Sequence, residues 1–133
     1  MNLTEIITLR QNVLSRTLAG CVAIDPLYTI PKLEKLQEGA LTDVKARRFV
    51  DVVKSRQKEL EGLTPEEQSK IIVHIASENH ILSEYMQWIT LPYNIYQDAP
   101  TAIKELQSLV ITKNTIIGLQ SWIRDQEAYI NGR

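Results

Sequence analysis

The longest uninterrupted helical pattern in the chain lies at residues 98–132 and reads DAPTAIKELQSLVITKNTIIGLQSWIRDQEAYING. Asp98 is a suitable N-cap, and Pro100 suits the first turn, where its missing N–H has no helical partner to lose. No further proline follows, and Gly132 offers a stop. The pattern predicts a helix of about thirty residues, roughly 45 Å long at 1.5 Å per residue.

Apolar residues on this helix fall into two overlapping stripes at helical spacing. The first contains Ile103, Leu106, Val110 and Ile117, and the second contains Leu109, Ile116, Leu119, Ile123 and Ile130. One neighbour cannot cover so wide a surface, so either several shorter helices surround it or part of it remains for a partner. The candidate contact residues are Leu109, Ile116, Leu119, Trp122, Ile123 and Tyr129.

Aromatic residues cluster in and beside the long helix and the loop that leads to it. The set is Trp88, Tyr93, Tyr96, Trp122 and Tyr129. Core packing is the preferred interpretation for the set as a whole. Trp122 and Tyr129, however, lie seven residues apart on one face of the helix, where they would also serve as interface anchors.

Length and composition limit the class of protein. The 133 residues include 44% hydrophobic residues, which suffices for one domain with its own core. The 15 basic and 16 acidic residues leave a net charge of -1, so no global field draws the chain to nucleic acid or to an anionic membrane. A single cysteine, Cys21, has no internal disulfide partner, and the chain contains neither a signal-peptide pattern nor a long apolar run. These features favour a cytoplasmic protein.

Shorter helices are predicted upstream of residue 98. Asn2 and Glu5 predict a capped helix that runs to Ile24 and ends at Asp25-Pro26. Another starts at Pro31 and stops at Gly39.

Three more helices follow at residues 42–60, 64–78 and 81–91. The first is capped by Thr42 or Asp43, and its inward residues are Val44, Phe49, Val52 and Val53. The second begins with the capping box Thr64-Pro65-Glu66-Glu67, and a loop at 92–97 follows the third. Since no segment alternates with period two, the sequence predicts an all-α fold of about six helices, with a compact head at 1–97 and a long helix at 98–131 in one domain.

Residue patterns for catalysis are missing from the sequence. His74 and His80 are six residues apart, on opposite sides of a continuous helix, with no cysteine or carboxylate cluster to complete a metal site. Cys21 lies among apolar residues, as an inert buried thiol does. None of the five glycines has a phosphate-binding spacing. We expect no enzyme activity, no metal and no cofactor or small-molecule substrate.

A weaker candidate surface lies on the helix at 42–60. Its basic residues are Lys45, Arg47, Arg48, Lys54, Arg56 and Lys58. They are suited to nucleic-acid phosphates, but Asp43, Asp51, Glu59 and Glu61 alternate with them. A solvated, charge-balanced face is the preferred interpretation.

Three stretches together resemble the N-terminal domain of DnaB-type replicative helicases. They are residues 18–26 (LAGCVAIDP), residues 41–53 with Arg47-Arg48-Phe49-Val50-Asp51-Val52-Val53, and Tyr85-Met86-Gln87-Trp88-Ile89 followed by residues 102–110 (AIKELQSLV). Their order and spacing are similar to the family's across nearly the whole chain. Ala46, Ala102 and Leu106 stand where the family has histidine, asparagine and tyrosine.

The resemblance implies a non-catalytic module of DNA replication. The family's domain forms the collar of a hexameric ring, dimerises largely through a helical hairpin and contacts primase and helicase loaders. The long helix would be the first arm of that hairpin, and its apolar stripe would bind a second copy, helicase, primase or a loader. Two alternatives stay open: a small helical subunit of a CRISPR-type ribonucleoprotein that binds nucleic acid through the basic face, and a phage structural or host-takeover protein.

Overall fold

Helices account for most of the chain in a computed structural model, which describes residues 1–91 and 94–132. Within these ranges the helices are α1 Leu3–Ile24, α2 Pro26–Leu33, α3 Val44–Ser55, α4 Gln57–Leu60, α5 Pro65–Glu78, α6 Leu82–Ile89 and α7 Ile95–Asn131. The described ranges contain no strand, so the prediction of an all-α fold with a long C-terminal helix is confirmed. None of these helices combines the length and apolar character needed to cross a membrane.

Three helix starts that are marked by capping residues, those of α1, α3 and α5, lie where the sequence predicts them. Asn2 accepts the backbone N–H of Glu5 at 2.9 Å. Asp43 is the N-cap of α3 and accepts the N–H of Ala46 at 3.0 Å. At α5 the capping box is complete. A cap depends on four or five consecutive residues, so at these three helices the sequence pattern was enough to place it.

The second helix differs from its prediction. It begins at Pro26 rather than Pro31, because the Asp25 side chain accepts the Tyr28 N–H at 3.2 Å and so caps α2 where α1 ends. Pro31 therefore lies inside the helix, which ends at Leu33, well before Gly39.

The helix predicted at 42–60 is divided at Arg56 into α3 and α4. Its buried face is formed by Ala46, Phe49, Val50 and Val53. Val44 was predicted to face inward and is instead 79% exposed. At 100° per residue it lies almost opposite the centre of the buried face.

The long helix starts one turn earlier than predicted. Its N-cap position is Asn94, whose backbone N–H donates to the Asp98 carboxylate at 2.8 Å. Asp98 therefore lies within the first turns and is not the N-cap. Pro100 consequently lies inside α7, where it has no N–H to donate to the carbonyl four residues back. Pro92 and Tyr93, part of the predicted loop at 92–97, lie outside the described residues.

Two apolar clusters make up the core. The larger joins α1, α3, α5 and α6, and in it the Phe49 ring lies 5.9 Å from the Tyr85 ring and 5.5 Å from the Trp88 ring between centroids. The smaller joins α1 to the first half of α7 through residues such as Leu18 and Leu106, both fully buried. Since α1 belongs to both clusters, it links α7 to the rest of the fold.

Candidate interaction surface

The first half of α7 is anchored along α1. Leu14, Leu18 and Cys21 of α1 pack with Ala99, Ala102, Ile103 and Leu106 of α7. At the edge of this contact Arg10 binds Glu105 through both carboxylate oxygens, and Lys113 Nζ lies 3.2 Å from Gln11 Oε1. Residue numbers rise along α1 as they fall along α7, so the two helices are antiparallel.

The contact ends where α1 begins. Met1 and Leu9 line a shallow apolar recess with Lys113 and Ile117, which places the amino terminus of α1 beside Ile117. The last buried residue of α7 is Leu106, and every described position farther along is half-buried or exposed. Residues 118–132 therefore project beyond α1, and we call them the arm. At 1.5 Å per residue, the arm is roughly 20 Å long.

The structure separates the six candidate contact residues into two groups. Leu109 and Ile116 are half-buried, and Leu109 packs against the smaller cluster. Leu119, Trp122, Ile123 and Tyr129 lie on the arm, where their exposed fractions are 57%, 60%, 48% and 61%. Ile130, in the same stripe, is 65% exposed. The preference for core packing was therefore wrong for Tyr96, which is 63% exposed, and for Trp122 and Tyr129, whereas Trp88 is buried as a core residue should be.

The exposed apolar residues occupy one side of the arm. Leu119, Trp122, Ile123, Tyr129 and Ile130 fall within an arc of about 120° when successive residues are placed 100° apart. Arg124, Asp125 and Ala128 lie outside this arc. A helix with one apolar side that its own fold leaves exposed is typical of an interface for another protein.

Three of the six basic residues between positions 45 and 58 are paired with acidic neighbours. Lys45 binds Glu84 at 2.5 Å, and this hydrogen bond lowers the pKa of the Glu84 carboxyl. Arg56 binds Glu59 at 2.7 Å and lowers the pKa of that carboxyl in the same way.

Further acidic residues reduce the charge of this face. Arg47 lies 3.8 Å from Asp51, and Arg56 also lies 3.7 Å from Glu78. Arg48, Lys54 and Lys58 are exposed and make no ion pair within the described ranges. Three unpaired cations among interleaved acidic residues give only a weak local field, so this face favours the solvated interpretation.

The described residues include few candidates for catalysis or metal binding. Cys21 is fully buried, and burial, together with the nearby Asp98 carboxylate, raises the pKa of its thiol to about 12. His74 is exposed and pairs with Glu78 on its own helix, while His80 takes a left-handed backbone conformation at φ 57° in the turn between α5 and α6. Within residues 1–91 and 94–132, no three histidine, cysteine or acidic residues are grouped closely enough to hold a metal.

Comparison with known proteins found no match among family models, curated proteins or solved structures.

Proposed function

We propose that this chain is a non-catalytic protein–protein interaction and oligomerisation module of DNA replication, and that its arm is the docking surface. The observation that carries the proposal is the exposed apolar side of the arm. Large apolar side chains usually lie in a core, and several of them on one face of a projecting helix mark an interaction site.

The replication role is supported by the resemblance to DnaB-type N-terminal domains. The stretches that carry it supply residues of the larger cluster: Val22 from the first, Phe49 and Val53 from the second, and Tyr85 and Trp88 from the third. Residues 102–110 of the third stretch lead α7 out of the head. This arrangement supports a shared framework in which a compact head positions a projecting helix. By analogy, the partners are a replicative helicase, its loader, a primase or a second copy of the chain.

Binding of purified partners tests the proposal. The chain would be immobilised and offered the helicase, loader and primase of the organism that encodes it. We expect at least one to bind, and we expect Leu119→Asp together with Trp122→Asp to abolish binding. Val44→Asp is the matched control, because Val44 is an exposed apolar residue on the head and its replacement should leave binding intact.

Two results would overturn this function. Specific recovery of capsid or tail proteins, with no binding of the replication proteins, would assign the chain to a phage structural or host-takeover role. Tight binding of single-stranded nucleic acid that weakens steeply with salt, and that Arg48→Glu with Lys54→Glu abolishes, would assign it to a ribonucleoprotein instead.

A further inference from the structure

Asn131 is followed by Gly132 at the far end of the arm. Of the six asparagines in the chain, Asn131 alone precedes a glycine, and the residues that follow the others are Leu3, Val13, His80, Ile95 and Thr115. Glycine has no Cβ to shield its backbone nitrogen, and its backbone rotates more freely than that of any other residue. The side-chain amide of Asn131 therefore has an accessible backbone nitrogen directly after it.

The last turn of α7 is held by its backbone rather than by packing. Gly132 donates its N–H to the Ala128 carbonyl at 2.9 Å, which closes this turn. Asn131 and Gly132 are both exposed, on an arm that projects beyond α1. A terminal helical turn without packing opens more often than the turns before it. The Gly132 nitrogen is therefore released from its hydrogen bond repeatedly while the rest of the chain stays folded.

Asn114 provides an internal reference within the same helix. It is exposed like Asn131, but it lies in the middle of α7, where the hydrogen bonds of the turns on both sides hold the backbone. The residue after it, Thr115, is β-branched, and its hydroxyl donates to the Ile111 carbonyl at 2.8 Å. The two asparagines therefore differ in the residue that follows and in how readily their turn of helix opens.

We infer that Asn131 is a site of spontaneous deamidation, and that the reaction shortens α7 from its end. The Gly132 backbone nitrogen loses its proton to hydroxide and attacks Asn131 Cγ. A bond forms between that nitrogen and Cγ, and the side-chain nitrogen leaves as ammonia after taking a proton from water. Water then opens the cyclic imide, giving aspartate by attack at Cγ and isoaspartate by attack at the main-chain carbonyl carbon. The whole reaction consumes water and releases ammonia.

Either product places a carboxylate at the C-terminal end of α7. Unpaired carbonyl groups make this end of a helix negative, so an added anion is unfavourable there. The last turn of α7, all of which is described, contains no basic residue, and Glu127 lies one turn before Asn131 on the same face. Isoaspartate also adds a methylene group to the main chain, which moves the next N–H away from the Ala128 carbonyl. Both products therefore loosen the last turn.

The loosened turn carries part of the apolar side of the arm. Tyr129 and Ile130 lie in this turn and are exposed on that side. The effect on docking rests on the proposed function, because it concerns the same surface. A partner that covers the arm holds the last turn helical, keeps the Gly132 N–H bonded and so slows the reaction. Deamidation therefore removes docking capacity from chains whose arm stays uncovered.

Mass spectrometry of the aged full chain tests the site. Trypsin places Asn114 and Asn131 in neighbouring peptides, 114–124 and 125–133. After incubation of the folded chain in mildly alkaline buffer, the second peptide should gain the mass difference between a carboxylic acid and an amide and should contain isoaspartate, while the first stays unchanged. An unmodified second peptide, under conditions in which the urea-unfolded chain reacts, would overturn the inference. Equal reaction of both peptides would overturn it too.

Hydrogen exchange tests the role of helix opening. The ratio of the deamidation rates in the folded and the urea-unfolded chain should equal the fraction of time for which the Gly132 amide is open to exchange in the folded chain. Equal rates in both states, with a protected Gly132 amide, would contradict reaction through opening. Asn131→Gln is the matched control, because it keeps the amide but requires a larger ring, and it should gain no mass.

The separated product tests the shortened helix. Ion exchange resolves reacted from unreacted chains by their charge. The amides of Tyr129 and Ile130 should lose protection in the reacted chains, whereas amides near Leu106 should keep theirs. Unchanged protection at Tyr129 and Ile130 would contradict the loosened turn.

Ageing in the presence of a bound helicase, loader or primase separates the inference from the proposed function. A bound partner should slow the reaction at Asn131, and an unchanged rate would overturn the protection. If Asn131 of the free chain reacts but no replication protein binds, the proposed function is overturned and the site stands. If a replication protein binds through the arm and Asn131 of the free chain stays intact, the site is overturned and the proposed function stands.

Discussion

Arg10 on α1 and Glu105 on α7 form a two-point ion pair, in which Arg10 Nη2 donates to Glu105 Oε1 at 2.9 Å and Nε donates to the other carboxylate oxygen. The pair lies at the edge of the contact that holds α7 to α1. Hydrogen bonding to the guanidinium lowers the pKa of the Glu105 carboxyl and raises that of Arg10.

The lowered pKa of Glu105 predicts a pH-dependent contribution to stability. A carboxyl with a lower pKa in the folded state stabilises the fold above its unfolded pKa, near 4.3, and this contribution is lost as the pH falls through the folded value. Glu105→Gln should therefore lower the free energy of unfolding by less than about 1 kcal/mol near neutral pH, since both side chains are partly exposed. Urea denaturation at several pH values measures the difference, which should shrink in acid. The control Glu38→Gln should show no such trend, and a loss that grew in acid would contradict the pairing.

Thr64→Ala should destabilise the fold by about 1 kcal/mol through loss of the cap of α5. The Thr64 hydroxyl accepts the Glu67 N–H at 3.2 Å, and the Glu67 carboxylate accepts the Thr64 N–H at 3.1 Å. Thermal unfolding measures the effect. Ser69→Ala, at an exposed position inside the same helix, is the control; equal melting temperatures for the two variants would argue against the cap.

Leu106→Ala and Leu119→Ala should differ strongly although both shorten a leucine of α7. Leu106 is fully buried, so its loss leaves a cavity that costs about 2–5 kcal/mol. Leu119 is 57% exposed, so its replacement should change the free energy of unfolding of the monomer by less than about 0.5 kcal/mol. Denaturation at high dilution separates the two values. A similar decrease in the free energy of unfolding for both variants would show that Leu119 is packed as Leu106 is, and that the arm does not begin at residue 118.

Gly62→Ala and Gly118→Ala should change stability in opposite directions. Gly62 has φ 77°, which strains any side-chain-bearing residue, so alanine there should cost about 1–2 kcal/mol. Gly118 lies in α7, and a Cβ there meets no atom within 4 Å. Alanine should therefore favour the helix by about 0.5–1 kcal/mol. Chemical denaturation and helix content by circular dichroism measure both, and a destabilised Gly118→Ala variant would contradict an open position.

Cys21 should resist thiol reagents in the native state. Its thiol is buried and its pKa is raised to about 12, so the reactive thiolate is almost absent at neutral pH. The rate of modification should rise steeply through the urea unfolding transition. Rapid modification of the folded chain would show that α1 and α7 separate readily around this residue.

Local signals explain which parts of the fold were predictable. The caps at Asn2, Asp43 and Thr64 were found because each depends on neighbouring residues alone. The start of α7 was misplaced because the Asp98 carboxylate accepts the N–H of Asn94, one turn upstream, so that the helix begins before Asp98 rather than at it. The burial of Val44 was misjudged because an apolar residue at a helix start carries no information about which face meets the core.

The interaction surface was predictable only in outline. Two apolar stripes on one long helix indicated more apolar surface than one neighbour covers. The area alone does not say which residues remain exposed. The sequence does not specify where α1 stops, and that end point beside Ile117 decides which residues remain exposed. Leu109 and Leu119 belong to the same stripe, yet one packs against the head and the other does not.

Because α7 is continuous from the half that packs on α1 into the arm, the packed half helps the arm to form a helix. An isolated helix of about fifteen residues is marginal in water, because its first turn is costly to nucleate. Residues 95–117 supply that first turn, so the arm extends by propagation alone. Amide hydrogen exchange should then be slow near Gly118 and become steadily faster toward Asn131. A partner bound to the arm should make the exchange rates along it more uniform. The number of protected amides in the arm would thus report how much of it is covered by a partner.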